Sequence, residues 1–526
     1  LHRELVSVYG DQPALLNEQC TAYLTLLDCA STKLGGSTPV LLVRAPGRAN
    51  IMGRHVDHQG GNCNLMTIDR EILMAVHPRN DDQVHLWNVD ETLFKSQRFS
   101  IGELLMDLPW DDWMSLVNSE KVQEMVGSAG GDWSQYVKAA ILRLQKKFPT
   151  IKLRGLDLVV RGNIPIAAGL SSSSAVVVAS AEATVAVNRL EVYPSQFVDL
   201  CGEGEWFVGT RGGSADHAAM KFGQTGKVAK VTFFDFGVEK MVDFPADHRL
   251  VICNSMIKAQ KAAGARDIFN QRVACYRIGA RLVRAFFPQY APLIKHLRDV
   301  NVRTLGVPLS WIYRILLRLP ERASREEIEK LLPPGEIAPL FATHAPPKDG
   351  YPIRGVVLFG LAECERSRVA ADLLERGQVA EFGRLMNVSH DGDRVVAYDE
   401  KLNPQPYNYR VSNSYLLDLL EALESGDSQR VMAAQLLWQP GAYSCSTPEI
   451  DLMVDIALRV PGVLGAQLAG AGLGGCMMVL AHKDATSALA EQMERLYYAP
   501  RGLPPAVSVC APIAGSGLLF DPRQGL

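Results

Sequence analysis

One stretch constrains this chain more than any other: Pro165-Ile-Ala-Ala-Gly169-Leu170-Ser171-Ser172-Ser173-Ser174-Ala175, set between the strand-like run Leu156–Arg161 and the apolar run Ala175–Val187. The apolar run is broken by Glu182 and reads as a buried helix rather than a membrane span, being too short for the ~20 apolar residues a span needs. Glycine lets a backbone come close to a ligand, and the free N–H groups and dipole at a helix start favour an anion. Serine hydroxyls add donors and can ligate Mg²⁺. A plain N-cap requires one serine, and here there are four in a row.

Two further segments share this glycine-rich character. Arg44-Ala-Pro-Gly-Arg48-Ala-Asn50-Ile-Met-Gly-Arg54-His55-Val-Asp57-His58-Gln59-Gly60-Gly61 reads as a polar loop crowded with groups able to hold hydroxyls. Gly465-Ala-Gln-Leu-Ala-Gly470-Ala-Gly472-Leu-Gly474-Gly475-Cys476 would let two backbones approach closely. A conventional phosphate loop is absent, since Gly223-Gln-Thr-Gly226-Lys227 has too short a spacing and Val follows the lysine. No HExxH and no dense His/Cys cluster points to a zinc enzyme.

Composition narrows the classes. A net charge of −3 leaves no basic footprint for nucleic acid or an anionic membrane. The ten cysteines are scattered without a CxxC pair, as in reduced, buried thiols. No secretory-type leader is read near the start, and cytoplasm is the expected compartment. Helices are predicted at Glu4–Tyr9 and Ala14–Ser31, strands at Pro39–Arg44, Ile68–His77, Val228–Phe236 and Leu250–Asn254, and helical spacing from Trp110 to Lys147. Ala45–Gly61 is expected to be loop. This mixture fits α+β better than a regular βαβ alternation. A break near Phe244–His248 suggests domains at 1–245 and 246–526, with an inserted proline-rich excursion at 331–352.

Together and in this order, the three segments resemble the GHMP kinases, and within them the galactokinase branch, with its PGRxNxIGEHxDxxGG, PxxxGLSSSA and GGGxGG patterns. Glu205-Trp-Phe-Val-Gly-Thr-Arg-Gly-Gly-Ser-Ala-Asp216-His217, Cys253-Asn-Ser255, Leu385-Met-Asn-Val-Ser-His390 and Cys445-Ser-Thr-Pro-Glu-Ile-Asp451 fit as well. The resemblance implies a two-domain fold with the active site in the cleft between domains, ATP and Mg²⁺ as cofactors, and transfer to the anomeric hydroxyl of a sugar. By resemblance, Gly169, Leu170, Ser171, Ser172, Ser173 and Ser174 wrap the ATP phosphates, and Ser173 with Glu205 holds Mg²⁺, Glu203 being the rival acid nearby. Asp216 matches the proton-accepting aspartate and Arg48 the arginine beside it. His55 and Asp57 match the sugar-binding pair.

The departures concern the substrate. Arg54 stands where galactokinases carry Glu, Phe269 where they usually carry Tyr, and His58 where they have Tyr. A guanidinium in place of an acid reverses the preferred ligand charge. The expectation is therefore a substrate with an anionic end, a uronic acid or sugar phosphate, held by Arg54 and bordered by Phe269. The segment His55-Val-Asp-His-Gln-Gly-Gly also resembles plant galacturonokinases, although these have a small residue at 54. The alternative is a catalytically silent sugar and ATP sensor that binds a regulatory partner, against which the intact serine loop and Asp216 argue. A mevalonate-type substrate would not need the hydroxyl partners of the His55/Asp57 loop.

Overall fold

The computed structural model describes all residues other than 1, 111, 130–131, 167–168, 210–213, 235, 258–262 and 525–526. Two helices, His2–Tyr9 and Pro13–Leu34, open the chain close to the predicted bounds. Among the described residues fourteen strands follow: β1 (Leu41–Met52), β2 (Cys63–Pro78), β3 (Gln83–Asn88), β4 (Gln97–Ser100), β5 (Leu156–Gly162), β6 (Lys227–Thr232), β7 (Gly237–Asp243), β8 (His248–Asn254), β9 (Val396–Tyr398), β10 (Pro404–Pro406), β11 (Val463–Leu468), β12 (Cys476–His482), β13 (Val507–Cys510) and β14 (Gly517–Phe520). The first sheet runs β14-β1-β2-β5-β3-β4, with β6 and β7 attached to the far end of β2; the second runs β11-β12-β8-β13. Among the described residues only the β3–β5 pairing in these two sheets is parallel, so the α+β reading holds.

The first half of the expected loop at Ala45–Gly61 is strand. β1 continues through Arg48 and Asn50 to Met52, paired with β2 from Leu41↔Val76 to Met52↔Asn64. Pro46 and Gly47 are absorbed where the register shifts, which is where a ladder tolerates them. The polar groups that suggested a loop are tolerated in a buried strand because Arg44 and Arg48 find partners inside the protein.

Helices Ser134–Lys147 and Ser172–Asn188 pack on the first sheet, and the core they form takes in Leu250, Ile252, Cys476, Met478 and Leu480 of the second sheet. A second core is almost wholly helical, built from helices Ala263–Phe286, Leu309–Arg318, Ile353–Glu375 and Asn413–Glu424. The proline-rich stretch belongs to this layer. Pro334 opens the helix Pro334–Phe341, and Leu332, Ile337, Leu340 and Phe341 are buried in the helical core. The chain's last strands divide: β13 lies beside β8 in the second sheet, and β14 returns to β1 in the first.

Candidate active site

Ser171 takes a left-handed backbone (φ 58°, ψ 49°) at the start of the Ser172–Asn188 helix, and its side chain does not cap that helix. The first-turn amides are left for something else, an arrangement suited to an anion. Gly169 (φ +79°) faces Gly470 (φ +70°) of the third glycine segment. A Cβ on Gly470 would lie 2.7 Å from the Gly169 Cα, and one on Gly169 2.6 Å from the Ala469 carbonyl oxygen. The two glycine segments thus meet backbone to backbone, as their composition predicted.

The Ser171 hydroxyl instead donates to Asp216, in the first turn of the helix Ala215–Phe222. Arg48 donates to both oxygens of the same carboxylate, Nε to Oδ1 at 2.6 Å and Nη2 to Oδ2 at 2.8 Å, and its Nη1 donates to the Gly169 carbonyl at 2.7 Å. One guanidinium therefore ties the carboxylate to the serine loop. Burial pushes the Asp216 carboxyl up, but the Arg48 charge and the bonds from Arg48 and Ser171 outweigh it, and the net shift is downward. The Asp216 side chain keeps 29% exposure, so a ligand can reach it. Residues 210–213 of the loop leading to it lie outside the described residues.

The two glutamates at the end of the helix Pro194–Glu205 separate clearly. Glu203 accepts from Arg143, with Nε to Oε2 at 2.7 Å. Glu205 is 8% exposed, and its Oε1 has no hydrogen-bond partner among the described residues, with His217 Nε2 at 3.6 Å. A buried carboxylate oxygen left open in this way fits a cation, and a half-buried Ser173 lies in the serine loop.

The sugar-loop residues divide into buried and accessible sets. Arg54 is 1% exposed and turned into the protein, where its Nη2 lies 3.0 Å from Asp393 Oδ2 and donates to Ser389 Oγ at 2.9 Å, while Nη1 donates to the Leu468 carbonyl at 2.9 Å. This corrects the expectation that Arg54 meets the substrate: a buried guanidinium needs a counter-charge, and Asp393 already supplies it. His55, at φ +61°, is also drawn inward. Its ring stacks on Tyr443 at 4.1 Å, and its Nε2 is 3.4 Å from Asp393 Oδ1. Burial raises Asp393, and His55 and Arg54 more than reverse it. Glu363 completes the support by accepting from the Gly53 and Arg54 backbone amides at 2.8 and 3.1 Å.

Asp57 and Phe269 stay accessible, with 29% side-chain and 37% residue exposure respectively. Asp57 Oδ1 lies 3.2 Å from His58 Nδ1, and the His58 ring lies 6.4 Å from that of Phe269. Burial opposes the charge on Asp57, but its bond to His58 helps bring the net shift down. Asp393, Tyr443 and Glu363 were missed in the sequence because each lies more than 300 residues from the loop it supports. The run Ser389-His-Asp-Gly-Asp393 beside the Leu385–His390 match was the one available signal for Asp393.

Family models match in three places: the GHMP kinases N terminal domain at residues 135–224, the galactokinase galactose-binding signature at 32–78 and the GHMP kinases C terminal domain at 419–499. The chain carries the signatures of both GHMP kinase domains. Among its relatives, the galactokinase of Roseiflexus sp. (strain RS-1) is 25% identical, with 92% of this chain and 95% of the relative covered. That of Chloroflexus aurantiacus is 26% identical, covering 95% and 99%. The GHMP kinase fold is also seen in the Lactococcus lactis galactokinase complexed with galactose, at TM-score 0.63 and 21% identity over 94% of this chain and 99% of that one. The galactose-binding signature spans Arg48, Arg54, His55 and Asp57, and the N-terminal domain match spans the serine loop, Glu205 and Asp216.

Proposed function

We propose that this protein is an ATP-dependent sugar kinase that phosphorylates the anomeric hydroxyl of a galactose-like sugar. The observation that carries the reading is the Arg48–Asp216–Ser171 cluster, which joins a poised carboxylate to the uncapped start of the serine-loop helix. Gly169–Ser174 would receive the ATP phosphates on backbone amides and hydroxyls. Ser173 and Glu205 would hold Mg²⁺, which when bound offsets the charge on the phosphate oxygens.

Asp216, kept ionised by Arg48, accepts the proton of the reacting hydroxyl as that oxygen forms its bond to the γ-phosphorus and the bond to the ADP leaving oxygen breaks. Arg48 also holds the carboxylate in one orientation, so the base and the serine loop keep a fixed distance. Asp57 is the acceptor for sugar hydroxyls, and Phe269 borders it across His58. His55 acts as support for the loop rather than as an open ligand. Because Asp393 matches the Arg54 charge, the favoured substrate is uncharged at its far end; a uronic acid or a sugar phosphate would have to find its cation elsewhere.

The test is ADP release from Mg·ATP against neutral hexoses, uronic acids and sugar phosphates. Turnover on a neutral galactose-like sugar is expected, with kcat reduced by about 10²–10⁴ in Asp216→Asn and sugar binding retained. Turnover confined to uronic acids or sugar phosphates would overturn the neutral-substrate reading. Sugar and ATP binding without turnover on any sugar would overturn the kinase.

A further inference from the structure

On the outer side of the sugar loop lies a cavity of about 330 Å³ that the proposed phosphoryl transfer does not use. It is small, at the lower end of the ~300–1,000 Å³ common for small-molecule sites. Its lining is cationic. Arg277, Arg281 and Arg284 project from one face of the helix Ala263–Phe286, and Lys295 and His296 close the other side. Their spacing at i, i+4 and i+7 places like charges side by side, which is unfavourable unless something neutralises them. Arg281 has Glu336 at 3.4 Å. Arg277, Arg284 and Lys295 have no carboxylate within ion-pair distance among the described residues.

The remaining walls are ordered. Phe234 stacks on His296 with ring centroids 4.0 Å apart, and the Arg298 guanidinium lies 5.4 Å from the Phe234 ring centre. Arg298 Nη1 donates to the Gly60 carbonyl at 2.9 Å, and Gly60 (φ +80°) has no room for a Cβ, which would meet Arg298 Cδ at 2.6 Å. His58 and Gln59 of the sugar loop form the inner wall. The cavity therefore touches the sugar loop through His58, whose Nδ1 is 3.2 Å from Asp57.

We infer that this cavity is a binding site for a small anionic molecule carrying a phosphate or carboxylate, held by Arg277, Arg284 and Lys295. Paired guanidinium groups around an open volume match the several oxygens of such a group. An anion seated there draws on the same His58 that steadies Asp57, so its occupancy alters sugar affinity more than the phosphoryl-transfer step. This goes beyond the kinase reading and does not depend on turnover.

Inorganic pyrophosphate serves as the probe, titrated calorimetrically into the full chain and into Arg277→Gln/Arg284→Gln at constant ionic strength. Both arginines are exposed, so the double variant is expected to keep its melting temperature. Pyrophosphate also suits the serine loop, and the reading is the difference between the two proteins. The expected result is loss of one binding component, or about tenfold weaker binding, in the variant. Identical isotherms would overturn the proposal, as would restoration of nothing by Arg277→Lys/Arg284→Lys, which keeps the charge. A repeat with saturating galactose separates the two sources of the anion. Because coupling is reciprocal, galactose is expected to shift the pyrophosphate affinity of the full chain; complete displacement means that the two ligands overlap, as the charged end of a substituted sugar would, and a partial shift means a separate effector. Either of these upholds the site, unchanged binding would overturn the coupling through His58, and a catalytically silent protein leaves the measurement intact.

Discussion

Asp216 is held between two opposing forces. Burial favours its neutral acid, while Arg48 and the Ser171 hydroxyl favour the carboxylate and win. A carboxyl with a lowered folded pKa contributes stability that is present above its unfolded value, near ~3.9, and lost as pH falls through the folded value. The same sign applies to activity. The acid limb of kcat should lie below the usual carboxylate range, leaving the rate flat through mildly acidic pH. Arg48→Met removes the charge that holds Asp216 down, so burial prevails and the acid limb is expected to move up; pH–rate profiles of both proteins check this. An unmoved limb would mean that another group sets it. Arg54 and His55 show the opposite use of charge. They face Asp393 in the interior and organise the loop from behind, leaving Asp57 at its accessible edge.

Between elements, two contacts fix the geometry of the site. The first is the meeting of Gly169 and Gly470, where neither backbone has room for a Cβ. Gly470→Ala adds both a backbone clash and a disfavoured positive φ. The expected outcome is a several-fold higher KM for ATP with less change in the KM for sugar, measured by steady-state kinetics. The second contact is a buried clamp below β1. Arg44 Nε pairs with Glu71 at 2.8 Å, both side chains are at most 2% exposed, and the arginine also donates to the carbonyls of Ala514 and Gly515. Tyr9 donates to the same glutamate. Glu71→Gln would leave an arginine buried without its counter-charge, and a loss of about 3–5 kcal/mol in urea unfolding is expected.

Over the whole molecule, the two sheets are joined by more than the chain between them. They share one apolar core, and the final residues supply an edge strand to each, β13 to the second sheet and β14 to the first. Removing residues 507–526 would expose both β8 and β1 as open edges and release the carbonyl partners of Arg44. The truncated chain is expected to melt well below the full one or to aggregate, read by thermal unfolding and light scattering. Unchanged melting would show that the two sheets do not rely on this closing segment.

The sequence by itself determined the parts of this protein that are local. The buried helix behind the serine loop, the opening helices and the strand at Leu156–Gly162 follow from short-range periodicity and helix-start chemistry, and so were legible. The order of the three glycine segments also led to the GHMP kinases, because each segment keeps its spacing within a few residues. What depended on distant partners was not legible. Ala45–Met52 is strand because β2 supplies its hydrogen bonds, and Leu332, Ile337, Leu340 and Phe341 of the proline-rich stretch join a core because other helices offer them an apolar face. The direction of Arg54 was decided only by tertiary structure. A guanidinium goes to whichever acid compensates its burial, and Asp393, 339 residues along the chain, becomes that acid only when the fold brings the two together.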